Sequence, residues 1–372
     1  MPSTMSVPAP TPRRRLAGFT LIELMVGLAL GLLTTLIIAQ VMVNYESQKR
    51  TTTNGGDAQT NGALAIYALQ QDIQKAGYGL INDPTVIGCA ITGSFNGTAL
   101  VPTITASLTL APVVITTGAT TDRVRVMSSD KANYSVPTKL TSAHTQTDTS
   151  FIVQSSNGAS DTDLMIAVPD TLATGCSIFS VKSDASTTVT STTIPHVADS
   201  GWNQANTFPA GGFSSGSQLI NLGKTLYRDY AIGTDGLTLT EVNATTGLGG
   251  GNPVTRTLFP QVVVMKALYG KGKAVPGVID TYDAVPPANN AEWQQVLGIR
   301  LVLVVRSGLY EKDNVTTTAP VWRVGATIAV TGATTCGSDQ CLTLTMPGAD
   351  WQHYRYKVFD TVIPLRNMLW NS

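Results

Sequence analysis

Apolar residues crowd one end of the chain. From Phe19 to Val43 each of the 25 positions is apolar, small or hydroxyl-bearing except Gln40 and a single charge, Glu23. At about 1.5 Å per residue a helix of that length crosses a bilayer. Beyond it the pattern changes period. Asn44 to Ala76 keeps helix-forming character, and Ile66, Leu69, Ile73 and Ala76 recur at spacings of three and four, the stripe of an amphipathic helix that packs on a head domain. Gly77 is placed as its carboxy-terminal cap. Thr51-Thr52-Thr53-Asn54-Gly55-Gly56 is the weak point, because each glycine costs about 1 kcal/mol relative to alanine in a helix, and a kink or a melted turn is expected there.

From Tyr78 onwards short β-type runs alternate with Gly, Pro, Asn and Asp. Candidate strands are Arg123 to Met127, Leu164 to Val168, Ser177 to Val181, Leu219 to Leu222, Leu237 to Val242, Val262 to Leu268, Ile299 to Val305, Val321 to Val330 and Leu342 to Met346. They predict an antiparallel sheet system, with the Thr/Ser/Gly-rich stretch from Ala185 to Gly216 as loops over it. The expected fold is therefore α+β: a long N-terminal helix, half transmembrane and half amphipathic, on a large antiparallel β-rich head. The expected divisions are a leader, 1–18; the helix, 19–76, with its transmembrane segment at 19–43; and the head, 77–372.

Composition narrows the function. The chain has 372 residues, is 43% hydrophobic and 13% charged, and carries 24 Lys+Arg against 24 Asp+Glu. No basic run appears outside Arg13 to Arg15, so no nucleic-acid partner is expected. Those three arginines precede the apolar run and favour a cytoplasmic amino terminus, directing the head outward. A signal peptide would have a shorter apolar core ending at a small-residue cleavage site, and an ordinary anchor has no use for Glu23.

A carboxylate in hydrocarbon costs about 2 to 3 kcal/mol on insertion scales, so Glu23 calls for a partner. A cut after Gly18 would supply one: Phe19 would gain an α-amine and Glu23 would become the fifth residue, in the first helical turns where the helix dipole favours an anion. The contiguous text Gly18-Phe19-Thr20-Leu21-Ile22-Glu23-Leu24-Met25-Val26 resembles the processing site of type IV prepilins. That resemblance implies cleavage between Gly18 and Phe19 by a prepilin peptidase and methylation of the Phe19 amine. Glu23 would then meet the amine of a neighbouring subunit, or, in the simpler alternative, its own. Gly27 and Gly31 add a Gly-x-x-x-Gly spacing that suits close helix packing and equally suits a tolerated pair of helix glycines.

Further text resembles the PilW family of type IV pilus assembly proteins: Leu69 to Gly79 (LQQDIQKAGYG), Ala267-Leu268-Tyr269-Gly270, Val296 to Ser307 (VLGIRLVLVVRS) and Phe359 to Asn367 (FDTVIPLRN). The stretch from Pro84 to Pro253 carries none of it. The resemblance implies a minor pilin acting in pilus initiation at or near the filament tip, with other minor pilins, the major pilin, a tip adhesin and the inner-membrane assembly platform as partners. It places the protein in the inner membrane before assembly and on the surface pilus afterwards. No enzyme activity and no cofactor is expected.

An outward-facing head lies in an oxidising compartment, where four cysteines form two disulfides in one of three connectivities. Cys336 and Cys341 bracket a four-residue turn and are the expected pair, leaving Cys89 with Cys176. A metal site is the competing reading, although no histidine stands near a cysteine at zinc spacing. Gly212-Phe213-Ser214-Ser215-Gly216 fits a nucleophile elbow in a setting that lacks the flanking strand and helix. Gly247 to Gly251 and Gly270 to Lys273 are read as turns, and Asp161, Asp163, Asp280 and Asp283 as solvated turn acids. Two alternatives to the minor pilin stand: a type II secretion pseudopilin, and a membrane-tethered hydrolase using Ser214 with His144, His196 or His353 as base.

Overall fold

The computed structural model describes residues 18–80, 84–96, 98–99, 108–131, 136–171, 175–198, 201–204, 207–244 and 255–369. The arginines before Gly18 and the glycines at 247–251 lie outside them. The chain divides into two compact units, Met1–Thr53 and Asn54–Ser372. Helix α1 is Leu21–Lys75. Its apolar stretch Leu21–Glu46, 26 residues, is exposed along its whole length and is long enough to cross a membrane. The turn expected to melt at Thr51–Gly56 stays helical. Glycine weakens a helix by only about 1 kcal/mol, an amount that long flanking helix overrides. The hydroxyl of Thr60 donates to the Gly56 carbonyl at 3.0 Å, within the same turn.

Among the described residues the head has three five-stranded sheets. The first runs in the order Thr255–Pro260, Gly236–Asn243, Thr225–Ile232, Arg123–Val126, Val113–Thr116, antiparallel throughout. The second runs Ala329–Val330, Thr281–Asp283, Val262–Lys271, Val296–Arg306, Tyr356–Pro364. The third runs Ile91–Thr92, Cys176–Ser180, Leu164–Val168, Gln218–Gly223, Thr138–Lys139. Only the outermost pairs Ile91–Thr92 with Cys176–Ser180 and Thr281–Asp283 with Ala329–Val330 are parallel among the described strands.

Two strands act as partitions between cores, which explains the unbroken apolar runs Leu164–Val168 and Leu301–Val305. In Leu164–Val168, Leu164, Ile166 and Val168 join the main core while Met165 and Ala167 join a second one. In Val296–Arg306, Ile299, Leu301, Leu303 and Val305 face the main core, and Val302 and Val304 a third around Trp322. The predicted stripe on α1 is confirmed: Leu69, Ile73 and Ala76 are fully buried in the main core with Ala65, and Ile66 packs against it.

Some expectations need correction. Val321 to Val330 is not one strand. Gly325 turns the chain at φ +80°, so Val321–Gly325 pairs with Asp339–Thr343 while Ala329–Val330 joins Thr281–Asp283. The last predicted strand lies earlier, at Asp339–Thr343, and Leu344 and Met346 are buried beyond its end. The stretch from Ala185 to Gly216 is more than loop: Thr193–Pro195 pairs with Ser150–Ile152, and Phe208 and Phe213 build the second core.

Candidate functional site

At its amino terminus α1 is capped by its own sequence. Thr20 precedes the first helical residue, its carbonyl accepts the Leu24 N–H at 3.1 Å, and its hydroxyl accepts the Glu23 N–H at 3.2 Å. Thr-x-x-Glu is the spacing of a capping box, and the hydroxyl satisfies one of the four amides that a helix start leaves without partners. Glu23 thus lies in the first turn, where the dipole favours its charge. Gly18 and Phe19 precede the cap, and Phe19 is 82% exposed. The cap and the carboxylate share one turn with the residue expected to carry the new amine. Further along, Thr34 donates to the carbonyls of Leu30 and Gly31, both at 2.9 Å, and Thr35 to that of Leu32 at 2.8 Å.

Within the head unit, the carboxy-terminal part of α1 is held by contacts with residues far along the chain. At Gly62 the ring of Phe359 occupies the space a Cβ would take. Asp72 accepts from the Tyr230 hydroxyl and pairs with Arg228, whose Nη1 is 3.4 Å away and whose Nε reaches Glu241 at 3.2 Å. Burial, and then the hydrogen bond to Asp72, push the Tyr230 phenol above its ordinary range. At the end of the helix Asn367 donates to the carbonyls of Ala76 (2.9 Å) and Lys75 (3.4 Å). Gly77 takes φ +80°, as a left-handed cap requires, and its N–H donates to Met127 at 2.9 Å. Asp72, Lys75, Tyr78, Asp130, Arg228 and Asn367 line a cavity of about 510 Å³ beside this joint. Sequence reasoning quoted the texts containing Asp72, Phe359 and Asn367 without finding their roles, because each role depends on a partner at least 150 residues away.

Cys89 is bonded to Cys176 and Cys336 to Cys341, with Cα atoms 5.9 and 5.8 Å apart. This is the expected pairing, and it replaces the metal reading of the cysteines. The first bridge fixes Cys176 beside Ile91, its register partner. The second closes the hairpin between Thr334–Cys336 and Asp339–Thr343.

The residues of the hydrolase alternative do not assemble. Ser214 is exposed, its hydroxyl lies 3.4 Å from that of Ser217, and strand Gln218–Gly223 follows where an elbow needs a helix. His144 and His196 are buried and bond each other, Nε2 to Nε2 at 2.8 Å, against Phe151, Phe208 and neighbouring rings. Burial lowers His144 to about 4; burial, and then the charge of His144, lower His196 to about 3. His353 stacks on Tyr310 and donates through Nδ1 to the Glu311 carbonyl. Turn roles account for Asp280, which accepts from the Lys273 and Ala274 amides, and for Asp161, which accepts from Ser183. Asp283 pairs with Lys271 at 3.0 Å. Asp163, by contrast, is fully buried rather than solvated.

The chain joins an exposed apolar helix with a capped, acid-bearing start to an antiparallel β-rich head, and the families it matches support a type IV pilus-related, pilin-like protein. Residues 13–39 match the family described as Prokaryotic N-terminal methylation motif, and residues 229–367 that described as Type IV Pilus-assembly protein W. Both ends of the chain thus match a PilW-family type IV pilus protein. The matches include Ala267–Gly270, Val296–Ser307 and Phe359–Asn367, exclude the helix-end text at 69–79, and begin at 229, inside the stretch from Pro84 to Pro253 expected to carry none of the resemblance. No curated protein and no solved structure matches the chain.

Proposed function

We propose that this chain is a minor pilin that takes part in starting pilus assembly at or near the filament tip. Residues 1–18 are a leader removed by the prepilin peptidase between Gly18 and Phe19, the Phe19 amine is methylated, and 77–372 form a head outside the inner membrane. The observation that carries the reading is the contiguous Gly18-to-Glu23 text leading through a Thr20 cap into an exposed apolar helix. That helix waits in the inner membrane and on assembly packs among those of other minor pilins and the major pilin. There the Glu23 carboxylate pairs with a neighbour's amine, since a buried charge left single is strongly penalised. Head size supports a tip position: a helical shaft repeats one heterologous interface, and the 295 residues from Tyr78 to Ser372 would crowd stacked neighbours. A tip adhesin and the inner-membrane assembly platform complete the partner set.

The test is intact mass and amino-terminal sequencing of the protein from membranes and from sheared surface filaments. A methylated Phe19 terminus in both fractions, at trace stoichiometry in the filaments, supports the proposal. An uncut terminus confined to membranes overturns it. Glu23→Val is expected to insert normally and to impair piliation; unaltered piliation would show the charge to be dispensable.

A further inference from the structure

Asp163 is fully buried just before strand Leu164–Val168, and one of its oxygens gathers three donors. Oδ2 receives the Lys131 Nζ at 2.8 Å, the Ser160 N–H at 2.9 Å and the Asn221 Nδ2 at 3.2 Å. Oδ1 is buried without a hydrogen-bond partner. An amine and a carboxamide therefore share one buried oxygen. We propose that Lys131 and Asn221 become joined by an isopeptide bond that the chain forms itself, with Asp163 as the proton carrier.

Two features go beyond what an ion pair needs. First, the carboxamide is held at both ends: Asn221 Oδ1 accepts the Gly223 N–H at 2.8 Å, and Nδ2 donates to the Gly158 carbonyl at 3.1 Å as well as to Asp163. The Gly223 amide is placed to hold the negative charge that develops on Oδ1 when the carbonyl carbon becomes tetrahedral. Second, the backbone leading to Lys131 is tied to the strand that carries Asn221. Ser129 Oγ donates to the Asn221 carbonyl at 2.9 Å, the Asp130 N–H to Leu222 at 3.0 Å, and the Lys131 N–H to Ser129 Oγ at 3.2 Å. Such fixing supplies the proximity that an intramolecular reaction exploits. The nucleophile in the step is the Lys131 amine, released when Asp163 Oδ2, 2.8 Å from Nζ, takes a proton from it.

The step balances without an oxidant or reductant. The Nζ lone pair forms a bond to Asn221 Cγ, the Cγ–Nδ2 bond breaks, and the nitrogen leaves as ammonia. Asp163 takes one proton from the Lys131 ammonium to free its lone pair, hands it to the departing Nδ2 and takes the second that Nζ sheds, so the ion pair ends as a protonated carboxyl, a neutral amide and ammonia. Amine and carboxamide become a secondary amide between residues 131 and 221.

The test is intact mass and peptide mapping of the full chain in detergent after its disulfides are reduced. A deficit of one ammonia, with a branched peptide joining Lys131 to Asn221, is the expected result. Lys131→Arg keeps a cation beside Asp163 and is expected to restore the full mass. Full mass in the unaltered chain overturns the proposal. So does a deficit with Lys131 in a linear peptide, because Asn221 then lost ammonia as a succinimide.

Discussion

The side-chain amide of Asn367 donates to the carbonyl of Ala76 at 2.9 Å, so the far end of the chain closes the end of the helix with which it begins. The last carbonyls of a helix have no partners within it, and a buried one left open costs about 1–3 kcal/mol. Asn367→Ala is expected to lower stability by about 1–2 kcal/mol, by the same reasoning. Urea unfolding of the full chain in detergent, followed by tryptophan fluorescence, measures it; a shift under a few tenths would show that water replaces the amide.

Gly62 and Phe359 make a coupled pair. A side chain at 62 meets the Phe359 ring, and overpacking of this kind costs about 1–3 kcal/mol. Gly62→Val is expected to destabilise by that amount, and Phe359→Ala in the same chain to recover part of it. Additive losses from the two changes would show that the contact is not what limits residue 62.

The buried histidine pair makes the second core sensitive to acid. With the folded values near 4 for His144 and 3 for His196, both below the 6.5 of an unfolded histidine, the unfolded chain binds protons that the folded chain refuses. Stability is therefore unaffected by these groups above pH 6.5. It falls as pH drops from there towards 4, by at most about 1.4 kcal/mol per pH unit for each histidine. Unfolding midpoints at pH 7 and pH 5 test this. The gap is expected to shrink in the His144→Phe/His196→Phe chain, and an unchanged gap would assign the acid response to carboxylates such as Asp148.

The two disulfides are unequal. Loop closure over a separation of 87 residues corresponds to about 4.6 kcal/mol in the chain-entropy account, and over 5 residues to about 2 kcal/mol. Cys89→Ser/Cys176→Ser is expected to lower the unfolding midpoint well beyond Cys336→Ser/Cys341→Ser. Equal losses would show that local packing rather than loop length sets the contribution.

What could be read from the sequence followed from local pattern. The α1 stripe, the Gly77 cap, strand Leu164–Val168 and the apolar segment all announce themselves within a few residues. Thr225–Ile232 and Tyr356–Pro364 escaped because they mix polar and apolar residues: Arg228 points to Asp72, and Val358 and Val362 stay largely exposed. Val321 to Val330 misled because a β-type composition continues across the turn at Gly325. The contacts of Asp72, Asn367, His144 with His196, and Lys131 and Asn221 with Asp163 left no trace, since each joins segments whose approach depends on the completed sheets. The Thr20-x-x-Glu23 spacing was visible, and its capping role needed only the helix start.

Thr34 and Thr35 turn their hydroxyls back onto the carbonyls of Leu30, Gly31 and Leu32. With those bonds closed inside the helix, that span asks nothing of its surroundings except hydrocarbon contact. Exchanging acyl chains for a neighbour's leucines would then break no hydrogen bond, and the barrier to leaving the bilayer would lie elsewhere, at Glu23. In the proposed pilin, a stem built in this way would pass reversibly between two oily solvents, with Glu23 deciding where it stops.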